Sequence, residues 1–258
     1  LTLTTLSQAD TRAVDIEAAA TGTTLGVDIS GATEAVTLDA SNYATGIETI
    51  ELGANNSQNL TLNGLQLGDG QTLDATSLTG NLDANLTRTG SSSDAATIQL
   101  ADGQNDIGVL GDAANTASLT IELSAAGGYT GNWTGFASTD SVALTAASDA
   151  QIDVTGVAAL GDLGSVDLGV ADLQATAAQI NGLTLTNAES NGGTVSATGL
   201  DGSDLNFSQV DAHAAGTLTL AGNATLNINT DLGAFGIDLG TNDLNATAAQ
   251  IDGLTIDN

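Results

Sequence analysis

Residues 167–187 read DLGVADLQATAAQINGLTLTN, and residues 238–258 read DLGTNDLNATAAQIDGLTIDN. The two segments are identical at 15 of 21 positions and lie 71 residues apart. A unit that recurs within one chain is typical of a stacked architecture, in which no single unit buries its own apolar face. The duplication therefore predicts a repetitive fold without one central globular core.

Each copy contains an Ala-rich stretch that predicts a short helical turn, over residues 173–180 and 244–251. An Asp at the start of such a turn can cap it, and a Gly at its end accepts the left-handed backbone conformation that terminates many helices. A strand, LTLT or LTID, is expected after each turn. The assigned residues are Asp172 and Asp243 as caps, and Gly182 and Gly253 as stops.

Elsewhere, apolar and polar residues alternate in short runs separated by Gly, Asn and Asp. Alternation with period two predicts strands with one buried face. Such strands are predicted at residues 47–52, 60–67, 96–100, 118–123, 142–145, 217–220 and 225–229. Two all-β architectures satisfy the pattern: a β-solenoid or β-helix of short strands, and tandem β-sandwich modules. We favour the solenoid, because aromatic residues, which usually anchor sandwich cores, are only 2% of the chain.

The domain organisation is less strongly marked than the strands, because no Pro-rich or Ser-rich linker divides the chain. We divide it into a β-rich N-terminal part, residues 1–137, and a solenoid part that carries the repeat, residues 138–258. The alternative is one continuous solenoid.

The charge of the chain is extreme, with 31 acidic residues against two arginines and a formal net charge of −29. A folded body with this charge repels itself unless cations hold the carboxylates together. Asp outnumbers Glu by 25 to 6, and Asp both forms turns and ligates hard cations from them. We therefore predict bound calcium. The alternative is a salt-adapted surface, on which the carboxylates only hold water and ions.

Three Asp-rich turns and the acid pair of the repeat are the candidate calcium sites. Calcium takes six to eight oxygen ligands, and a Gly permits the tight turn that brings carboxylates and carbonyls to one ion. Turn formation and helix capping are the alternative roles of each Asp. The candidate ligands are Asp69 and Asp74 in the first turn, Asp102, Asn105 and Asp106 in the second, Asp201 and Asp204 in the third, and Asp167, Asp172, Asp238 and Asp243 in the repeat.

Several functional classes are disfavoured by what the chain lacks. Arg12 and Arg88 are too few to bind nucleic acid or an anionic membrane, and no apolar run approaches the roughly 18 residues of a membrane span. The absence of Cys leaves no disulfide and no zinc-thiolate cluster. We expect no enzyme, because His213 is the only histidine and no nucleophile motif accompanies it.

Residues 46–52 (GIETIEL), the D-G-x-N-D turn at residues 102–106 and the recurring LxLT strands resemble calcium-dependent bacterial surface-layer proteins and large RTX-type adhesins exported by type I secretion. The strict nonapeptide repeat G-G-x-G-x-D of RTX proteins does not occur. The resemblance implies that the chain is exported unfolded and folds outside the cell when calcium screens its carboxylates. It also implies a location at the cell surface and assembly into lattices or filaments.

These expectations combine into an extracellular structural subunit that self-assembles into a surface layer, filament or sheath and is stabilised by calcium. Its partner would be a second copy of itself, joined at open coil ends where unpaired strand edges can template another chain. The alternative is an adhesin module that binds a surface glycan or host ligand through loops, with the aromatic segment at residues 129–136 as its site.

Overall fold

A computed structural model describes most of the chain. The described residues are 2–3, 11–15, 22–28, 35–42, 47–53, 59–68, 70–88, 96–100, 105–107, 120–123, 127–132, 141–144, 150–158, 163–187, 192–211 and 213–258. The paired strands run parallel, and neighbouring strands belong to successive coils, so the predicted β-solenoid is confirmed. Each coil passes once around the solenoid before the next coil begins. A strand therefore pairs with the strand on the same side of the next coil, about twenty residues later in the chain.

One long sheet extends along the whole solenoid. Its twelve described strands are β2 (Thr11–Asp15), β4 (Val36–Asn42), β6 (Leu60–Leu67), β8 (Leu82–Arg88), β10 (Asn105–Ile107), β12 (Gly127–Asn132), β14 (Gln151–Ala158), β16 (Asp172–Thr176), β18 (Val195–Leu200), β19 (Ala215–Leu220), β21 (Gly236–Asp238) and β23 (Ile256–Asp257).

Shorter sheets form the other sides. A five-stranded sheet contains β1 (Thr2–Leu3), β3 (Thr23–Asp28), β5 (Ile47–Gly53), β7 (Thr72–Ala75) and β9 (Thr97–Leu100). A four-stranded sheet contains β11 (Thr120–Leu123), β13 (Ser141–Leu144), β15 (Ser165–Asp167) and β17 (Thr184–Thr186), and β11 packs beside β9. A two-stranded sheet pairs β20 (Ala224–Thr225) with β22 (Leu244–Asn245), and the helix α1 spans Ala248–Ile251.

The core consists of columns of aliphatic side chains, one from each coil. Leu25, Ile50, Leu73 and Ile98 are in register in successive coils, and none is more than 3% exposed. Every second residue of a strand points inward, which is why the alternating sequence produces these columns. A thin stacked core of this kind is filled by Leu, Ile, Val and Ala, so the scarcity of aromatic residues does not prevent folding.

The coils shorten along the chain. Arg12 pairs with Leu38, 26 residues later, whereas Leu218 pairs with Ile237, 19 residues later. Residue 137 does not interrupt the sheets, because β11 pairs with β13 and β12 pairs with β14. The division of the chain into parts before and after residue 137 stays a prediction.

The helical turn predicted at residues 173–180 is wrong over its first residues. β16 covers Asp172–Thr176, with Leu173 and Ala175 turned inward and less than 3% exposed. The amide of Asp172 donates to the carbonyl oxygen of Ala150, so this residue belongs to the ladder and caps no helix. Hydrogen bonds to a neighbouring strand on each side stabilise the extended backbone more than the helix propensity of the alanines stabilises a helix. Hydrogen-bonded turns succeed the strand at residues 177–182.

The second copy comes closer to the prediction, because it does form a helix. α1 is capped by Thr247, not by Asp243, and β22 occupies the start of the segment in which a helix was predicted. Gly182 (φ 74°) and Gly253 (φ 78°) end the turns with positive φ, as predicted. The copies occupy different sides of the solenoid: β15 and β17 lie in the four-stranded sheet, whereas β21 and β23 lie in the long sheet.

All seven predicted strands overlap observed strands, and residues 60–67 match β6 at both ends. The strand predicted at residues 225–229 is too long, because β20 ends at Thr225. The Asn227 side chain accepts a hydrogen bond from the Asn229 amide, and the Thr230 amide donates to the Asn227 carbonyl, so the chain turns there.

Candidate functional site

Polar side chains form columns on the outside of the solenoid, because registered strands place equivalent residues above one another. Thr24, Thr49, Thr72 and Thr97 are in register on the five-stranded sheet. On the four-stranded sheet the corresponding column contains Thr120, Ser141, Ser165 and Thr184. The register therefore places a Ser or Thr at the equivalent position of each of these described strands.

Acidic residues also stack in consecutive coils. Parallel strands lie about 4.8 Å apart, and two unit charges at that distance repel each other by about 1 kcal/mol even in water. This spacing lets two carboxylates share one calcium ion, whose oxygen ligands lie about 2.3–2.6 Å away. The registered acidic pairs are Glu51 with Asp74, Asp83 with Asp106, and Asp238 with Asp257.

The predicted calcium ligands fall into three groups. Asp69 and Asp102 lie outside the described residues. Asn105 and Asp106 lie on β10, where the register places Asn105 beside Tyr129 and Asp106 beside Asp83. The side-chain positions of the other seven are described, and these are Asp74, Asp167, Asp172, Asp201, Asp204, Asp238 and Asp243.

Four of these aspartates bind their own turns. In each case Oδ1 accepts a hydrogen bond from the amide two residues later, which is the usual turn-forming role of Asp. Each of these bonds occupies one carboxylate oxygen. The bonds run to Asp74 from Thr76 (3.0 Å), to Asp167 from Gly169 (3.1 Å), to Asp201 from Ser203 (2.8 Å) and to Asp238 from Gly240 (2.9 Å).

The second acid of the repeat's pair plays different roles in the two copies. Asp172 Oδ1 accepts hydrogen bonds from the amide and the hydroxyl of Thr194 in the next coil, at 2.8 and 3.1 Å. Asp243 instead donates its own amide to the Asn223 side chain. In the third predicted turn, Asp204 contacts the Asn229 amide group at 3.4 Å.

The described candidates do not gather into one acidic cluster. Within the part of the chain that the structure describes, no three Asp, Glu or His side chains lie close enough to hold one metal ion. The register instead places acidic residues in pairs on neighbouring coils. A shared calcium would then take its remaining ligands from main-chain carbonyls and water. Calcium binding itself stays a prediction.

Among the described carboxylates, Asp201 and Asp211 have a pKa shifted by their turns. Hydrogen bonds from the Ser203 side chain and amide lower the pKa of Asp201, and the His213 amide lowers the pKa of Asp211. The Nδ1 atom of His213 lies 3.1 Å from Asp211 Oδ1, and 68% of the histidine side chain is exposed. This arrangement is that of a surface turn.

A glutamine clamp accounts for the ATAAQI that both copies of the repeat share. Gln179 accepts a hydrogen bond from the Thr176 amide and donates to the carbonyl oxygens of Val154 (2.7 Å) and Val157 (2.6 Å) in the preceding coil. Gln250 makes the matched bonds to the carbonyls of Asn227 and Thr230. Each glutamine therefore closes its own turn and fastens it to the coil before.

The same device occurs once more, outside the duplication. Gln71 accepts a hydrogen bond from the Gly68 amide and donates to the Ile47 carbonyl of the preceding coil. The sequence signal is a glutamine three residues after the start of a turn, a pattern too short to identify a clamp without the structure.

The aromatic segment proposed as an adhesin loop is a strand over its described part. Residues 129–132 belong to β12, which pairs with β14. Residues 133–136 lie outside the described part of the chain.

The last described coil exposes apolar side chains that its counterpart buries. Leu183 is 1% exposed and Leu185 is not exposed, whereas Leu254 is only partly buried and Ile256 is 41% exposed. An open groove of about 420 Å³ beside α1 is lined by Leu254, Gln250 and Ile228, and Ile228 is 75% exposed. Among the residues whose burial is described, the exposed large apolar side chains are Ile228 and Ile256, both near this coil.

Among the described residues, no helix has the length and apolar character needed to cross a membrane. No protein-family model, curated protein or solved structure matches this chain.

Proposed function

We propose that this chain is an extracellular structural subunit that assembles with copies of itself into a surface layer, filament or sheath, with calcium as the cation that neutralises its carboxylates. The stacking of acidic residues in consecutive coils is the observation that carries the proposal. Glu51 above Asp74 and Asp238 above Asp257 are like charges in direct register, an arrangement that is destabilising without a counter-ion.

The remaining support comes from the fold and the composition. A β-solenoid is quasi-one-dimensional, and any coil that no further coil covers carries strand edges that can pair with another chain. The location outside the cell rests on the resemblance to exported, calcium-dependent surface proteins. In the four turns of Asp74, Asp167, Asp201 and Asp238, Oδ1 accepts a backbone amide, and in our proposal the second oxygen faces a cation or water.

Thermal unfolding and particle size, measured in calcium, in magnesium and in chelator, test this proposal. We expect calcium to raise the melting temperature by several degrees more than magnesium at equal concentration, and electron microscopy to show ordered particles only with calcium. Equal effects of calcium, magnesium and matched ionic strength of NaCl would support the salt-adapted surface and contradict the proposal.

A matched pair of variants on β5 localises the effect. Glu51→Gln removes a carboxylate stacked on Asp74, whereas Glu48→Gln makes the same chemical change at an exposed position where the register shifts. We expect Glu51→Gln to raise stability in chelator and to reduce the stabilisation by calcium. Glu48→Gln should leave the calcium response unchanged. The same response from both variants would mean that the stacked pair is not a calcium site.

A further inference from the structure

Four Asn or Asp side chains join successive coils in the same way. In each case the side-chain oxygen accepts the backbone amide of a residue in the next coil, and the carbonyl of that residue accepts the amide of the residue after the Asn or Asp. We name this two-bond arrangement an Asx link. The links join Asn59 to Asn81, Asp172 to Thr194, Asn181 to Asn206 and Asn223 to Asp243.

The link at Asn181 differs from the other three, because a glycine follows it. Gly182 has a φ of 74°, a backbone conformation that residues with a Cβ rarely adopt. The link requires a side-chain oxygen at residue 181, and the backbone requires glycine at residue 182. The fold therefore imposes an Asn–Gly dipeptide on this turn, where both residues are exposed.

An Asn–Gly dipeptide can react with itself, and glycine lacks the side chain that would hinder the approach. The Gly182 nitrogen attacks Cγ of Asn181, the new N–Cγ bond closes a succinimide ring, and the Cγ–Nδ2 bond breaks. Ammonia leaves, taking up the proton that the Gly182 nitrogen loses. Water then opens the ring at one of its two carbonyls, which yields either aspartate or isoaspartate at residue 181.

Both reacting groups are held by a single residue of the next coil. The Gly182 amide donates to the Asn206 carbonyl oxygen at 2.9 Å, and Asn181 Oδ1 accepts the Asn206 amide at 2.8 Å. Ring closure removes the proton from the Gly182 nitrogen and turns Cγ of Asn181 towards it, so both hydrogen bonds must break first. The dipeptide is thus protected by the stacking of the two coils, although it is exposed to water.

We propose that Asn181 is a deamidation site that reacts only when the coil of Asn206 separates from it. The modified chain then accumulates in proportion to the time that these two coils spend apart. The inference does not depend on calcium or on assembly, and it goes beyond the proposed function.

The two products have different consequences for the fold. We name residues 167–187 the inner copy and residues 238–258 the end copy. The end copy has Asp252 at the position of Asn181, and Asp172 makes an Asx link through a carboxylate oxygen, so an aspartate product can restore the link. An isoaspartate product carries the main chain through Cβ. This extra backbone atom separates the side-chain oxygen from the Gly182 amide, so the link cannot re-form.

Peptide mass spectrometry of the 258-residue chain, incubated at mildly alkaline pH when folded and when unfolded in urea, tests the site. Folding should slow deamidation of Asn181 at least about a hundredfold. Native-state hydrogen exchange follows the same nitrogen, because the Gly182 amide is both the exchanging group and the nucleophile. The protection of this amide from exchange should equal the slowing of deamidation to within about tenfold.

A matched pair of truncations separates local from global opening. Phe207→Ala removes a fully buried side chain next to Asn206, whereas Ile98→Ala removes a buried side chain from a coil far along the solenoid. Phe207→Ala should accelerate deamidation of Asn181 at least tenfold, and Ile98→Ala should leave its rate unchanged. Circular dichroism verifies that both variants are folded, and the comparison of rates in the parent chain stands without them.

Asn181→Asp tests the products separately and should keep the Gly182 amide protected, whereas chains that contain isoaspartate should lose this protection. Similar deamidation rates in the folded and unfolded chains would overturn the inference. Slow deamidation beside an unprotected Gly182 amide, or equal acceleration by Phe207→Ala and Ile98→Ala, would overturn it as well. None of these outcomes affects the calcium response on which the proposed function rests.

Discussion

The inner and end copies of the repeat have nearly the same sequence and different surroundings. Leu183 is 1% exposed between two coils, whereas Leu254, the same residue in the second copy, is partly exposed at the end of the stack. Asp172 binds the next coil, and Asp243 does not. In a solenoid, burial is thus conferred by the neighbouring coils as much as by the sequence of the unit.

The largest expected effect comes from truncating the matched leucines. Leu183→Ala leaves a cavity between two coils and should reduce the free energy of unfolding by about 2–4 kcal/mol, whereas Leu254→Ala should cost about 1 kcal/mol. Urea denaturation of the two variants in dilute solution measures both. Equal losses would mean that Leu254 is packed as tightly as Leu183.

The glutamine clamps provide a second comparison, because Gln179 and Gln250 each donate hydrogen bonds to the preceding coil. Gln179→Ala and Gln250→Ala should each cost about 1–2 kcal/mol, with the smaller loss at Gln250, whose second bond is 3.3 Å long. Gln174→Ala on the outward face of β16 is the control and should change stability little. A comparable loss at Gln174 would show that the clamp is not the cause.

The last residue of each copy provides a third pair. Asn187 is 7% exposed and donates from Nδ2 to the Gly193 carbonyl at 2.7 Å, whereas Asn258 is exposed. Asn187→Ala should therefore cost about 1–2 kcal/mol, and Asn258→Ala should be nearly neutral in thermal unfolding. An Asn187→Ala variant as stable as the parent would show that the hydrogen bond to Gly193 does not stabilise the first copy of the repeat.

The smallest effect concerns pH. Asp201 lies in the coil that covers the inner copy, and hydrogen bonds from Ser203 lower its pKa. A lowered pKa in the folded state contributes stability above the unfolded value of about 3.9, and this contribution is lost as pH falls through the folded value. Asp201→Asn should thus be slightly less stable than the parent at pH 7 and equal to it near pH 2. An equal difference in stability between the variant and the parent at pH 7 and pH 2 would contradict the lowered pKa of Asp201.

The sequence predicted the features that depend on local pattern. Period-two alternation located β6 at both ends, and Gly182 and Gly253 were identified as positive-φ stops. The helix predicted from the alanine content at Asp172–Thr176 is wrong. The strands that pair with this segment lie about twenty residues away in either direction, where a local pattern does not reveal them. The length of β20 was overestimated because the turn at Asn227 depends on a side-chain bond.

The candidate site was less predictable, because it depends on register. The turns around Asp74 and Asp201 could be identified from the sequence alone. The stacking of Glu51 on Asp74 requires knowing that the coil between them is 23 residues long, and irregular coils conceal that length. The hydrogen bonds from Gln179 to the carbonyls of Val154 and Val157 could not be predicted for the same reason.

Native-state hydrogen exchange tests most directly the claim that one sequence is covered in one coil and open in the other. The amides of Leu173 and Leu185 donate to carbonyl oxygens of the next coil, so they should exchange at least about a hundredfold more slowly than those of Leu244 and Ile256. Equal protection of both pairs would contradict the account.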